Sequence, residues 1–178
     1  MTDRAHELAV LSRGLDQVER LLGRVTEQDR SRPTPCEDWD VADLADHLVA
    51  GTSAFARAVS GEQVDWTAAP PHVEGDYATE FRKTADNLRA AWDAVPEDAG
   101  QPGPDWQAAE IAVHSYDLAT ALGQPTDELD AEVAERGLAF MRANLKPEMR
   151  STAFGPEQPA PSGADAYQRI AAFAGRHC

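Results

Sequence analysis

Glu110 and His114 stand four residues apart in Ala108-Ala109-Glu110-Ile111-Ala112-Val113-His114-Ser115-Tyr116-Asp117-Leu118-Ala119, and Asp117 follows three residues later. A carboxylate and an imidazole at that spacing share one face of a helix, and the next residue three along extends it. The stretch holds no Gly or Pro, Gly123 and Pro125 follow it, and Asp105 is placed to cap its start, so it reads as one helix. Val113, Leu118 and Ala121 interleave with the polar groups, which therefore look into the protein or along its seam. A carboxylate and an imidazole buried there without partners cost several kcal/mol, and pairing, hydrogen bonding or a metal ion removes that cost. From this stretch alone two readings stand: a metal site, or an ordinary pair on a solvated face worth about 0.2–0.5 kcal/mol.

His47, in a second amphipathic segment, would complete a two-His, one-carboxylate set with Glu110 and His114. Such a set suits catalytic Zn²⁺, with a coordination position left for water or substrate, and also Fe(II), Ni(II) or Co(II). The plainer reading of His47 is a core-edge imidazole satisfied by a backbone carbonyl or by Asp43. Asp117 is the further catalytic-site candidate: hydrogen bonding to a ligand imidazole is its preferred role, with metal binding and proton shuttling as alternatives. Cys36 follows Pro35 with no His nearby in sequence, and reads as a small buried residue rather than a nucleophile or thiolate ligand. His6, His72 and His177 fall in a chain start, a polar loop and a tail, which makes them poor ligands. Neither a Gly-x-Ser-x-Gly elbow nor a phosphate-binding glycine loop is present.

The elements that must position these groups read as helices. Leu8, Leu11, Leu15, Val18, Leu22 and Val25 recur three and four apart and predict a first helix from Asp3 to about Gln28. Pro33 and Pro35 forbid its continuation, Trp39 is expected to pack the connecting loop onto the bundle, and Asp40 is placed to cap a second helix from Val41 to about Ser60, stopped by Gly61. A third helix is expected from about Asp76 to Val95, and a fifth from about Asp127 to Leu145. Three prolines make residues 154–163 an extended surface connection. Ser162-Gly163-Ala164-Asp165 resembles a capping box, opening a last short helix through Ala174. No alternating strand pattern or repeat occurs, so the expectation is an all-α bundle, and 178 residues suit a single domain spanning the whole chain.

A net charge of -15, from 31 acidic against 16 basic residues, argues against nucleic acid or an anionic membrane as partner. The N-terminus has no signal-peptide core and no apolar run approaches the roughly 20 residues of a membrane span, so the expected location is cytoplasmic. Two cysteines make no disulfide framework. A homodimer through a helix face is compatible with a bundle, but no motif specifies one.

Pro33-Thr34-Pro35-Cys36-Glu37-Asp38-Trp39, followed by Val41-Ala42-Asp43-Leu44-Ala45-Asp46-His47-Leu48-Val49, resembles the N-terminal signature of the DinB-like superfamily, in the actinobacterial branch that includes mycothiol-dependent maleylpyruvate isomerase. The stretch Glu110 to Ala119, with Leu122-Gly123-Gln124, is similar to that group's second signature. The ending from Phe154-Gly155-Pro156 through Arg169, Phe173 and Gly175-Arg176 resembles the tail of a small metal-binding subfamily. The resemblance implies a DinB-like bundle holding a divalent metal on His47, Glu110 and His114. It also implies a class of chemistry: a low-molecular-weight thiol, mycothiol above all, joined to a small electrophile, or an isomerisation or hydrolysis that such a thiol initiates. The isomerase has an additional C-terminal domain for which this chain has no room after the fifth helix, so its substrate is not carried over. The competing expectations are a noncatalytic metal- or small-ligand-binding bundle in stress response, and a metal-dependent hydrolase with Asp117 as base.

Overall fold

The computed structural model describes residues 3–36, 38–96, 99–100, 102–150 and 154–178. Glu37 in the proline loop, and Glu97, Asp98 and Gln101 in the connection after the third helix, lie outside the described residues. Among those described the protein is all-α: α1 (Asp3–Leu22), α2 (Val41–Val59), α3 (Tyr77–Asp93), α4 (Asp105–Ala121), α5 (Ala131–Asn144), a 3₁₀ turn at Pro147–Met149, and α6 (Ala166–Phe173). No described helix is long and apolar enough to cross a membrane. The architecture is the expected DinB-like bundle of four long helices with further C-terminal helices.

Two apolar cores share one central helix. Leu11, Leu15 and Val18 of α1, Leu44, Leu48 and Phe55 of α2, and Phe81, Leu88 and Trp92 of α3 pack with Ile111 and Leu118 of α4. On the other side Ala112, Val113 and Tyr116 of α4 meet Val133, Leu138 and Met141 of α5 and Tyr167 and Ile170 of α6. A helix covered on every side is apolar all round, which is why α4 lacks the single stripe of its neighbours. Polar groups on its central turns, His114, Ser115 and Asp117, are therefore forced into the interior. Close approach is part of the same design, since a Cβ on Gly137 would lie 2.9 Å from the Ala109 Cα.

Several helix ends differ from expectation, each through local hydrogen bonding. The first helix stops at Leu22 because Gly23 weakens it and Asp29 takes both the backbone N–H and the hydroxyl of Thr26, at 2.9 and 2.7 Å, into a competing turn. Asp40 does cap α2, in a reciprocal box with Asp43 that commits Asp43 away from His47. Asp105 does not cap α4: Pro104 occupies the cap position without a side-chain bond, and Asp105, one residue inside, receives Arg136 at 3.0 Å. Asp130 caps α5, which starts later than expected. The last capping box is formed by Asp165 as cap and Gln168 as its partner, three residues further along than the Ser162 pattern implied.

Candidate functional site

The loop before α2 is closed on itself. The Thr34 N–H donates to the Trp39 carbonyl at 3.1 Å, the Thr34 hydroxyl reaches the same oxygen at 2.9 Å, and Pro33 bridges to Asp40. This closure sets Trp39 against the start of α2, its ring 4.6 Å from that of His47 and stacked 6.0 Å from that of His114. Trp39 therefore does more than fasten the loop. It forms a wall against both imidazoles.

His47 from α2 and Glu110 and His114 from α4 come together. Glu110 Oε1 lies 3.0 Å from His47 Nε2 and 3.2 Å from His114 Nε2, and the two imidazole centroids are 4.8 Å apart. One donor atom from each residue falls within 4.8 Å of the others. His6, His72 and His177 are not part of this group: His6 pairs with Glu132 and His72 with Asp46.

Asp117 sits behind this trio. It is fully buried, accepts from His114 Nδ1 at 3.0 Å, and receives the Arg176 guanidinium on both oxygens, from Nε at 3.2 Å and Nη2 at 3.0 Å. The Asp117 bond fixes His114 with an N–H at Nδ1 and turns Nε2 toward Glu110 and the cavity. Asp117 itself is absent from the described cavity lining.

Arg176 is the site-supporting residue that the residue pattern did not single out, although it belongs to the tail carried by the resemblance. It lies 59 residues from Asp117, beyond the last helix. The local signal was Gly175, which adopts φ +95 and ends α6 with paired bonds, Gly175 N–H to Ala172 and Arg176 N–H to Ala171. A Cβ there would come within 2.7 Å of Gly155, so glycine is required both for the turn and for the contact. The turn folds the chain back and buries Arg176 against α4.

Charge distribution follows from this packing. Burial works to raise the Glu110 pKa, but the charge of His114 and hydrogen bonds from both imidazoles hold the carboxyl well below its usual range. Burial works to lower the pKa of His114; the Glu110 charge and the Asp117 hydrogen bond overcome it and raise the value to about 9 from an ordinary 6.5. In metal-free protein the His114 contribution to stability is complete below pH 6.5 and disappears as pH rises through about 9. The Glu110 contribution runs the other way, present above its ordinary value of 4.5 and lost as pH falls. Urea unfolding of chelator-treated protein should therefore show a fall of roughly 1–3 kcal/mol between pH 6.5 and 9, absent from His114→Gln. A flat profile for the wild type would mean that His114 is not held as an imidazolium between these acids.

All three residues of the trio line one cavity of about 540 Å³, with Cys36, Asp38, Trp39, Phe55 and Trp66 among its other walls. A larger cavity of about 650 Å³ touches the trio only through His47. The smaller one is therefore the candidate site, and its volume suits a small-molecule ligand.

Cys36 is buried as expected and lies on the wall of this cavity. Its backbone is pinned, the N–H donating to the Thr34 hydroxyl at 3.2 Å and the carbonyl accepting from it at 3.1 Å. Cys36→Ser is expected to retain metal content and any thiol-transfer activity, with a stability loss of about 1 kcal/mol from replacing a packed thiol by a hydroxyl. Loss of all activity in a folded, metal-loaded Cys36→Ser protein would identify Cys36 as a nucleophile.

The sequence matches the mycothiol maleylpyruvate isomerase N-terminal domain family over residues 11–119, a span that includes His47, Glu110, His114 and Asp117. Two uncharacterized proteins of Mycobacterium tuberculosis, from strains CDC 1551 / Oshkosh and H37Rv, are each 31% identical to it over 180 residues, an alignment covering 92% of this chain and 94% of theirs. No solved structure matches the chain. The match from α1 to the site helix α4, and the near-complete alignment with the mycobacterial proteins, place this chain in the mycothiol maleylpyruvate isomerase N-terminal domain family.

Proposed function

We propose that the protein is a metal-dependent transferase or isomerase that uses a low-molecular-weight thiol of the mycothiol type on a small electrophile, with a divalent ion held by His47, Glu110 and His114. The observation that carries this reading is the donor set itself. Ligand bonds near 2 Å in a tetrahedral arrangement set neighbouring donors roughly 3.3 Å apart. The two His–Glu separations here are 3.0 and 3.2 Å, and all three donors lie within 4.8 Å of one another, close enough for one ion to draw them together. Two imidazoles and one carboxylate suit zinc first, and iron, nickel or cobalt as alternatives. When bound, the ion supplies positive charge that favours the thiolate, the nucleophilic form of a thiol, at neutral pH.

The chain's own groups do the rest. Glu110 is the single negative charge of the trio, so the ion keeps net positive charge for an anionic partner. Asp117 and Arg176 hold the His114 ring so that Nε2 faces the cavity. Trp39 closes one side of both imidazoles. Asp117 is best read as a positioning residue, because its oxygens are taken by His114 and Arg176 and it stands behind the cavity wall. That placement weighs against a hydrolase that would use Asp117 as base.

Two measurements test the proposal: metal content of the purified protein, and conjugation of mycothiol to a panel of electrophiles before and after chelation. The expected result is one ion per chain and a thiol-dependent reaction that chelation abolishes and zinc restores. Protein that binds no divalent ion after zinc dialysis defeats the metal reading. Protein that binds the ion yet leaves every thiol and electrophile pair unreacted is a noncatalytic binding bundle.

A further inference from the structure

The cavity has a second end, built in register with the first. On α2, His47, Gly51 and Phe55 are spaced four apart, and on α4, His114, Glu110 and Trp106 repeat that spacing in the opposite chain direction; all six line the cavity. Each helix therefore presents one continuous row to the same trough, about 12 Å long at 1.5 Å per residue. The trio occupies one end. Aromatic rings occupy the other, where Phe55, Trp66 and Trp106 lie with centroids 5.4 to 5.6 Å apart.

These rings do not merely fill the core. Trp66 is 50% and Trp106 49% exposed, and together with buried Phe55 they form a shelf with its indole surfaces open to solvent. Between the shelf and the trio lies Gly51, inside a helix where glycine is unfavourable relative to alanine. A Cβ on Gly51 would meet no atom within 4 Å. Packing does not call for glycine there, and the space it leaves belongs to the trough. Among the described lining residues the acidic and imidazole side chains are Asp38, His47, Glu110 and His114, and the shelf rings Phe55, Trp66 and Trp106 carry no charge. At the shelf an anionic group finds no Arg or Lys among the described lining residues, whereas a flat uncharged ring gains contact with two indole surfaces.

We propose that the trough is a binding site for an uncharged, planar aromatic molecule, its ring on the Trp66 and Trp106 shelf and its other end directed along Gly51 toward His47, Glu110 and His114. Its identification as the electrophile rests on the thiol-transferase reading above, whereas its binding does not. The trough thereby selects a different substrate class from a small dicarboxylate.

The test is equilibrium titration of the full chain with the neutral fluorophore N-phenyl-1-naphthylamine, metal-free and zinc-loaded, with maleate as dicarboxylate competitor. The wild type should bind one fluorophore per chain, with affinities in the two metal states agreeing within about threefold and no displacement by maleate. Gly51→Leu fills the trough and Trp106→Ala removes half of the shelf; each should weaken binding about tenfold or more, equivalent to about 1.4 kcal/mol. Both variants should keep the circular dichroism of the wild type. Wild-type affinity in both folded Gly51→Leu and Trp106→Ala, displacement by maleate, or no binding by wild type overturns the proposal. Fluorophore binding that persists in a protein unable to hold zinc leaves the trough standing and removes only the thiol-transferase reading.

Discussion

His114→Ala is expected to empty the metal site, with divalent-ion content after zinc dialysis falling from about one per chain to background. Three donors from two helices are the minimum for a catalytic zinc site, and removal of one leaves Glu110 and His47 on opposite sides of the α2–α4 seam. His114 is also the donor that the protein has invested most in orienting, through Asp117 and the Arg176 behind it. Losing the imidazole removes a ligand and the group that links this pair to Glu110. A neutral isostere that keeps the volume, His114→Gln, should empty the site equally, which separates loss of ligation from creation of a cavity. Full metal content in either folded variant would place the ion elsewhere, and a wild type that holds no ion would deny it altogether.

Much of this arrangement is legible in the sequence, for reasons that concern range. The i, i+4 and i, i+3 spacings from Glu110 to Asp117 depend only on helical geometry, and an uninterrupted run from Ala108 to Ala119 secured that geometry. The apolar rows of α1, α2 and α3 likewise name the residues that enter the first core, Leu11, Leu44 and Phe81 among them. Asp40 is a readable cap because the residue that answers it is only three positions away.

Long-range partners are another matter. No spacing connects Arg176 to Asp117, because the link depends on how α6 docks on α4 and on a left-handed turn at Gly175. Asp105 looked like a cap because an acidic residue before a helix is the favoured choice there. Arg136 of α5 offered it a stronger partner, and the helix began one residue earlier in the chain. The aromatic shelf was similarly hidden. Phe55 and Trp106 belong to different helices and Trp66 to a loop, so only the tertiary fold brings their rings together.

Asp117→Asn is expected to separate metal tuning from metal binding while exacting a large stability loss. The substitution keeps the shape of the side chain and removes its charge, at a position fully excluded from solvent and bonded to Arg176 through both oxygens. An Asn must present its amide NH₂ to one of the donors that the carboxylate accepted, either Arg176 or His114. Breaking a buried ion pair from one side costs about 3–5 kcal/mol, and that range is the expected loss in urea unfolding. At the site, His114 keeps Nε2 but loses a charged hydrogen-bond partner at Nδ1, so zinc should be retained with affinity about 10–100-fold weaker. The double variant Asp117→Leu/Arg176→Met guards against simple unfolding, because replacing both charges with apolar groups recovers much of the lost stability. Its zinc affinity should stay as low as that of Asp117→Asn, since nothing then orients the imidazole. If Asp117→Asn instead loses the ion as completely as His114→Ala, Asp117 is itself a ligand; if the double variant recovers wild-type affinity along with stability, its role is confined to the fold.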